Sequence, residues 1–277
     1  MTNKIDAHQH FWQFDPVKDG WITEEMAVIR KDFLPKDIKP VLKKNGIEGC
    51  VAVQADQSEK ETKFLLDLAK ENDFIKGVVG WIDLLNENIN ERLDYYSQFK
   101  ALKGFRHILQ GEKERQFMLR PDFIRGIRAL KKFNFTYDIL IFPDQLQYAK
   151  NFVAAFPDQK FVIDHIAKPY IIDKEIDEWK KDITDVAKQK NVYCKISGLV
   201  TEADWKKWKE KDFVPYLDVI VEAFGMDRVM FGSDWPVCLL AASYKKVTGI
   251  VQNYFSSFTQ QELGKVFGLN AIEFYNL

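Results

Sequence analysis

The four histidines of this 277-residue chain are the residues whose positions first suggest chemistry. His8 and His10 stand two apart in a short apolar run, and residues i and i+2 of a strand point to the same face. His107 and His165 each fall at the end of another apolar run, and Asp234 has the same position in a later one. Converging imidazoles and a carboxylate can bind a metal ion or transfer protons. The sequence therefore predicts a site built on His8, His10, His165 and Asp234.

Short apolar runs alternate with longer amphipathic stretches, which predicts eight strand–helix units. The predicted strands are 4–11, 49–56, 75–84, 102–108, 136–141, 160–166, 192–199 and 228–237. The predicted helices are 37–45, 58–71, 86–99, 121–133, 145–156, 176–190, 213–224, 243–257 and 259–275, and Thr259 with Glu262 fits a capping box. Nearly all-apolar strands favour a parallel sheet covered on both faces. Eight units in a chain of this length match a TIM-type (β/α)8 barrel.

One domain is predicted over residues 1–277, because no flexible linker or internal repeat interrupts the alternation. A doubly wound open sheet is the alternative fold. Its usual Gly-rich phosphate loop is missing, since the first predicted strand runs into His8-Gln9-His10-Phe11-Trp12. A barrel gathers its C-terminal strand ends at one mouth, where the histidines and Asp234 would meet. The long segment 13–35 after the first strand is expected to form a lid over that mouth.

The composition favours a small-molecule ligand. Lys and Arg total 40 against 41 Asp and Glu, so the net charge of -1 gives no electrostatic basis for binding nucleic acid or an anionic membrane. A cytoplasmic location is expected, since no signal-like segment and no apolar run of about 20 residues is present. Cys50, Cys194 and Cys238 lack metal-binding spacing and are expected to be reduced and buried.

Several motifs together resemble the amidohydrolase superfamily, and within it the amidohydrolase-2 branch that contains sugar lactonases. They span the chain in order: Asp6-Ala7-His8-Gln9-His10-Phe11-Trp12, Gly104-Phe105-Arg106-His107, Asp164-His165 with Lys168-Pro169, Phe231-Gly232-Ser233-Asp234-Trp235-Pro236, and Asn270-Ala271. The resemblance implies a distorted barrel whose site is formed by His8, His10, His165 and Asp234. It also implies that these four residues bind a single divalent ion, zinc before others, or act without one.

The reaction implied by the resemblance is hydrolysis of a sugar-acid lactone, an aldonolactone such as L-fuconolactone, to the aldonic acid. Asp234 would act as general base, and the histidines would polarise the carbonyl. The fifth predicted strand holds no histidine, which argues against a two-metal centre. Two alternatives remain open: a metal-dependent non-oxidative decarboxylase of the same branch, and a non-catalytic barrel that binds a small molecule.

Residues at other predicted strand ends and in the first loop are candidate contacts for a polyhydroxylated lactone. They are Arg106, His107, Gln54, Trp81, Asp83, Lys195, Trp12 and Trp235, with Asp138 and Trp21 beside them. Because neighbours on a strand face opposite ways, Arg106 and His107 are not both expected to point inward. Asp164 is expected to face the helix layer. The sequence leaves the preferred lactone and the oligomeric state open.

Overall fold

Eight parallel strands form one sheet in sequential order in a computed structural model that describes residues 3–277. They are β1 (Ile5–Gln9), β2 (Gly49–Val53), β3 (Ile75–Gly80), β4 (Leu102–His107), β5 (Thr136–Ile139), β6 (Phe161–Ile163), β7 (Val192–Ile196) and β8 (Val229–Phe231). The chain after β8 returns to β1, where the amide of Asp234 donates to the carbonyl of His8 at 2.8 Å. The amide of His10 donates in turn to the carbonyl of Trp235 at 2.7 Å. The sheet thus closes into the predicted TIM-type barrel, and the doubly wound alternative is excluded.

Helices follow the strands and cover the outside of the barrel. They are α1 (Pro35–Lys44), α2 (Glu59–Glu71), α3 (Ile89–Ser97), α4 (Pro121–Leu130), α5 (Leu146–Ala154), α6 (Asp177–Ala187), α7 (Val214–Phe224), α8 (Tyr244–Tyr254), α9 (Gln260–Gly264) and α10 (Asn270–Tyr275). A π-helical turn, Lys265–Leu269, joins α9 to α10, so the last predicted helix is interrupted. The capping box at its start is confirmed, since the side chain of Thr259 accepts from the amide of Glu262.

Two apolar clusters make up the core. The larger one lies between the strands and the surrounding helices. The smaller one takes alternate residues of β1 and β2 and single residues of β3, β6 and β8, which place it on the inner face of the barrel. Its members are Ile5, Ala7, Val51, Val53, Val79, Val162 and Met230, with Ala271, Phe274 and Tyr275 of α10. Helix α10 therefore packs against the inner face of the barrel. The candidate site residues lie at the C-terminal ends of the strands.

Several strands are shorter at their C-terminal ends than the apolar runs predicted. β6 ends at Ile163, because residues 164–167 form a 3-10 turn, and β8 ends at Phe231. The residues left over form the loops that carry the site. All three cysteines are buried and unpaired, as expected. Among residues 3–277, no helix is both long and apolar enough to cross a membrane.

Candidate active site

A cavity of about 330 Å³ opens beside the C-terminal ends of the strands. Its wall consists of His10, Trp12, Trp21, Ala55, Arg106, Ile108, Gln110, Gly111, Leu140, His165, Lys168, Asp234 and Val237. Three of the four residues predicted to form the site are in this wall. The fourth, His8, is fully buried, and its ring packs against His10 and His165. The barrel thus brings together His8 of β1 and three residues that follow the ends of β1, β6 and β8.

Four side-chain atoms of this group approach one another closely. His8 Nε2 lies 3.2 Å from His10 Nε2, and His10 Nε2 lies 3.4 Å from Asp234 Oδ1. The Nε2 atoms of His8 and His165 are each 3.9 Å from that same oxygen. Zinc–ligand bonds of about 2.0–2.2 Å separate neighbouring ligands of a tetrahedral site by roughly 3.3–3.6 Å. The nitrogen and oxygen donors are therefore spaced so that they could hold one divalent ion.

Hydrogen bonds on the far side of two imidazoles fix which nitrogen faces the cavity. His10 Nδ1 lies 2.8 Å from the carbonyl oxygen of Val53, so this nitrogen carries a proton and Nε2 is turned toward Asp234. His165 Nδ1 lies 2.9 Å from Ser197 Oγ. Such outer contacts orient ligand histidines in metal sites. The same two contacts orient the imidazole rings when no ion is bound.

A network of buried charges contacts His8 on the Nδ1 side of its ring. Asp164 Oδ1 lies 3.3 Å from His8 Nδ1, and Lys195 Nζ lies 3.2 Å from the same nitrogen. Lys195 also contacts Asp164 at 3.0 Å and Asp138 at 2.5 Å, while Arg106 Nη1 lies 2.9 Å from Asp164 Oδ2. Burial would raise the pKa of Asp164, but the cations around it hold that pKa well below its usual value. The expectation that Asp164 faces the helix layer was wrong.

The protonation states follow from burial and from neighbouring charges. Burial lowers the pKa of His8 and of His165 well below the usual range, so both imidazoles are neutral at neutral pH. Burial of Asp234 favours its protonated form, but His165, His10 and Lys168 together bring the pKa of Asp234 below its usual value. The site therefore presents a carboxylate beside neutral imidazoles.

Unusual backbone conformations place these side chains. His165 and Asp234 have φ values of 53° and 56°, in the left-handed region that most residues avoid. Gly198 has φ of 67°, and a Cβ there would lie 2.9 Å from the His165 ring. A Cβ on Gly232 would lie 2.6 Å from the Cβ of His8. Both glycines are needed so that the backbone can approach the histidines closely.

Arg106 and His107 point to opposite sides of β4, as strand alternation predicts. Arg106 lines the cavity, and its Nη2 donates to Gln54 Oε1 at 3.0 Å. His107 was a candidate substrate contact, but its ring lies outside the cavity wall, 2.7 Å from Glu112 and stacked on Phe117. It instead packs between β4 and the loop that follows it.

The remaining candidate contacts divide into three groups. Trp12 and Trp21 line the cavity. A second group is fully buried behind the cavity wall and consists of Gln54, Asp138 and Lys195. Their contacts are with neighbouring side chains, such as Gln54 with Arg106 and Lys195 with Asp138. The structure places three others away from the wall: Trp81, whose indole approaches His107; Asp83, which accepts from the amide of Leu85; and Trp235, which packs on Phe11 and Phe33. Substrate contact is therefore not expected from this third group.

The cavity also contains residues that sequence reasoning did not select. Lys168 and Gln110 supply polar groups, and Ile108, Leu140 and Val237 supply apolar surface. They lie beyond the strand ends, in loops and short 3-10 turns where no periodic pattern indicates which way a side chain points. Lys168 stands three residues after His165 within a motif already noted, but only the turn geometry brings it to the wall.

A barrel with three histidines and an aspartate at its mouth is the architecture that the sequence motifs associated with amidohydrolases. The family model described as amidohydrolase matches residues 5–277, and the chain belongs to this family. It is 38% identical to L-fucono-1,5-lactonase of Burkholderia multivorans, over 99% of this chain and 96% of the relative. It is 32% identical to L-fucono-1,5-lactonase of Burkholderia ambifaria, over 100% of this chain and 97% of that relative. The crystal structure of an amidohydrolase from Burkholderia multivorans with bound zinc superposes with a TM-score of 0.96 at 38% identity, over 99% of both chains. The predicted family is confirmed.

Proposed function

We propose that this protein hydrolyses a sugar-acid lactone to the aldonic acid. The observation that carries the proposal is that Asp234 lies 3.4 Å from His10 and 3.9 Å from His165 in the wall of a cavity of about 330 Å³. A cavity of this volume suits a small molecule. The high identity to two lactonases over nearly the whole chain supports a lactone as that molecule.

Asp234 is the group that would activate water. As a carboxylate it accepts a proton from a water molecule, whose oxygen then attacks C1 of the lactone. The bond between C1 and the ring oxygen breaks, and the ring oxygen takes up a proton to become a hydroxyl. The histidines would polarise the carbonyl and support the charge that develops on the C1 oxygen. The product is a carboxylate, the aldonate.

The donor set also fits one divalent ion, with zinc as the first candidate. His8, His10 and Asp234 would hold it, because their donor atoms lie within 4.8 Å of one another, and His165, whose Nε2 lies 3.9 Å from Asp234 Oδ1, would be the fourth ligand. When bound, such an ion polarises a carbonyl and lowers the pKa of water. A second ion is not expected, since β5 (Thr136–Ile139) offers no histidine. Zinc in the related amidohydrolase structure supports this assignment.

The cavity surface suits a sugar ring. Trp21, which is 44% exposed, offers an indole face that can pack on C–H surfaces of the ring, and the buried Trp12 supports it with ring centroids 6.0 Å apart. Gln110 also lines the cavity, and its side-chain amide can bind hydroxyl groups there. This combination of aromatic and polar groups is the one that a polyhydroxylated ligand needs.

The test is a panel of aldonolactones in a pH-indicator assay, run with and without exhaustive chelation. We expect acid release from at least one lactone, with L-fucono-1,5-lactone the first to try. Loss of activity after chelation and its return with zinc would show that an ion is required. Release of carbon dioxide from an aromatic or dienoic acid, without lactone turnover, would instead identify a decarboxylase. A chain that turns over neither class would be a binding protein.

A further inference from the structure

We propose that Lys168 contacts the substrate, its ammonium group binding the C1 end of the lactone: the carbonyl oxygen before hydrolysis and the carboxylate afterwards. This inference rests on the proposed lactone hydrolysis and assigns a role to a residue outside the histidine and aspartate group. Lys168 lies in the cavity wall together with His165 and Asp234.

The first argument is the backbone that carries Lys168. His165, Ile166, Ala167 and Lys168 have φ values of 53°, 48°, 57° and 49°, four consecutive non-glycine residues in the left-handed region. Each such residue carries a steric cost, so a run of this kind persists only where surrounding contacts hold it, and strain of this type is concentrated at functional sites. The amide of Lys168 donates to the carbonyl of His165 at 2.8 Å, and Trp179 Nε1 donates to the carbonyl of Ile166 at 2.8 Å.

The left-handed turn determines which side chains face the cavity. Residues three apart on a helical turn share a side, and this holds for a turn of either hand. His165 and Lys168 accordingly both line the cavity, while Ile166 and Ala167 are fully buried in the apolar core. The strained turn thus keeps Lys168 in the wall of the cavity that His165 and Asp234 also line.

The second argument is the hydrogen-bonding capacity that Lys168 retains. Two cations line the cavity. Arg106 is committed through its terminal nitrogens to Asp164 and Gln54. Lys168 Nζ lies 3.2 Å from Glu202 Oε1, and an ammonium group has three donors, so this ion pair leaves two for a ligand.

The chemistry gives such a cation a role in turnover. The lactone is neutral, but its C1 oxygens gain negative charge in the transition state and keep it in the aldonate. A cation at C1 therefore stabilises the transition state and product more than the substrate. Removing the charge should lower kcat more than it raises KM and should weaken inhibition by the product.

The experiment compares wild type with Lys168→Met, Lys168→Arg and Lys174→Met in steady-state hydrolysis of a lactone that the wild type accepts. Lys174 is the matched control, because it also has a left-handed φ of 59° but is exposed and outside the cavity wall. We expect Lys168→Met to lower kcat/KM by about 10–100-fold and to raise the aldonate inhibition constant at least about fivefold. Lys168→Arg should recover part of both, and Lys174→Met should match wild type.

A purely structural ion pair gives a different pattern. If Lys168 served only to hold Glu202, then Glu202→Gln and Lys168→Met would lower stability and activity alike, and that result would overturn the proposal. Wild-type values of kcat/KM and product inhibition in Lys168→Met would also overturn it. If the methionine variant does not fold, Lys168→Gly replaces it, since glycine adopts the left-handed conformation without strain.

Calorimetric titration with an aldonate keeps the two proposals separate. Failure of the wild type to turn over any lactone contradicts the proposed function. The role of Lys168 is then judged by aldonate binding alone: weaker binding to Lys168→Met than to wild type supports it. Equal affinity, or no binding to the wild type, overturns it.

Discussion

Asp234 is the side chain on which the proposed hydrolysis depends most directly, since its Oδ1 lies within 3.9 Å of three imidazole nitrogens. Asparagine has nearly the same size but cannot accept a proton from water. We expect Asp234→Asn to lower kcat by about 10²–10⁴-fold with little change in the melting temperature. Asp83→Asn, outside the cavity wall, is the control and should behave as wild type. A folded Asp234→Asn variant with near-normal turnover would show that another group activates water.

Three charged residues behind the cavity wall hold His8 in position. Asp138, Asp164 and Lys195 are fully buried, and each contacts at least one opposite charge. Burial raises the pKa of Asp138 to about 6, although Lys195 opposes this shift. An unpaired charge at such depth is costly, so the members of the network constrain one another and with them the position of His8.

At the scale of secondary-structure elements, the loop after β7 supports His165 through Gly198. Gly46 has φ of 68°, close to the 67° of Gly198, but a Cβ on Gly46 meets nothing within 4 Å, whereas one on Gly198 would lie 2.9 Å from the His165 ring. Both alanine variants should therefore lose about 1–2 kcal/mol of unfolding free energy to backbone strain. Only Gly198→Ala should also displace His165 and lower kcat, by about tenfold or more. Equal kcat values in the two variants would contradict this role for Gly198.

The segment 13–35 is tied to α2 through Glu61, which the pH dependence of stability can test. Lys18 Nζ lies 3.9 Å from Glu61 Oε2, and the amide of Ala55 donates to Glu61 Oε1 at 3.2 Å. Burial raises the pKa of Glu61 from 4.5 to about 7. The folded state thus binds an extra proton in this interval, so unfolding free energy should fall as pH rises from 4.5 to about 7.

Glu61→Gln removes this titration. Relative to wild type, the variant should gain roughly 1–3 kcal/mol of unfolding free energy between pH 4.5 and pH 8, as measured by urea denaturation. Glu48→Gln, at an exposed position, should follow the wild-type curve. Parallel curves for wild type and Glu61→Gln would mean that the pKa of Glu61 is not raised in the folded protein.

At the scale of the whole molecule, α10 links the end of the chain to the barrel interior. Phe274 is buried against Tyr193 and Tyr275, with ring centroids 4.9 and 4.7 Å away. Phe274→Ala should cost about 3–5 kcal/mol. If residues 1–277 form one domain, the unfolding transitions of this variant measured by fluorescence, circular dichroism and loss of activity should have the same midpoint. Leu269→Ala, at a side chain 41% exposed, should change little. Separate transitions for activity and fluorescence would contradict a single cooperative domain.

Much of the fold could be predicted because it depends on local patterns. The apolar runs and amphipathic stretches indicate all eight strands and their order, and Thr259 marks the start of α9. Element ends were less accurate where the chain leaves the regular pattern. The apolar runs ending near Ile166 and Val237 predict β6 and β8 to be longer than they are. The strands are followed by residues with left-handed backbone conformations, which no hydrophobic periodicity indicates.

The sequence by itself determined the barrel, the family and the group of His8, His10, His165 and Asp234, because the order of apolar runs and motifs is a property of the linear chain. Only the tertiary structure decided which other side chains share the cavity. Arg106 and Lys168 line it, His107 does not, and Asp164 turns inward to buried cations. These outcomes depend on turn conformation and on charge pairing between distant strands. Neither has a local signature in sequence.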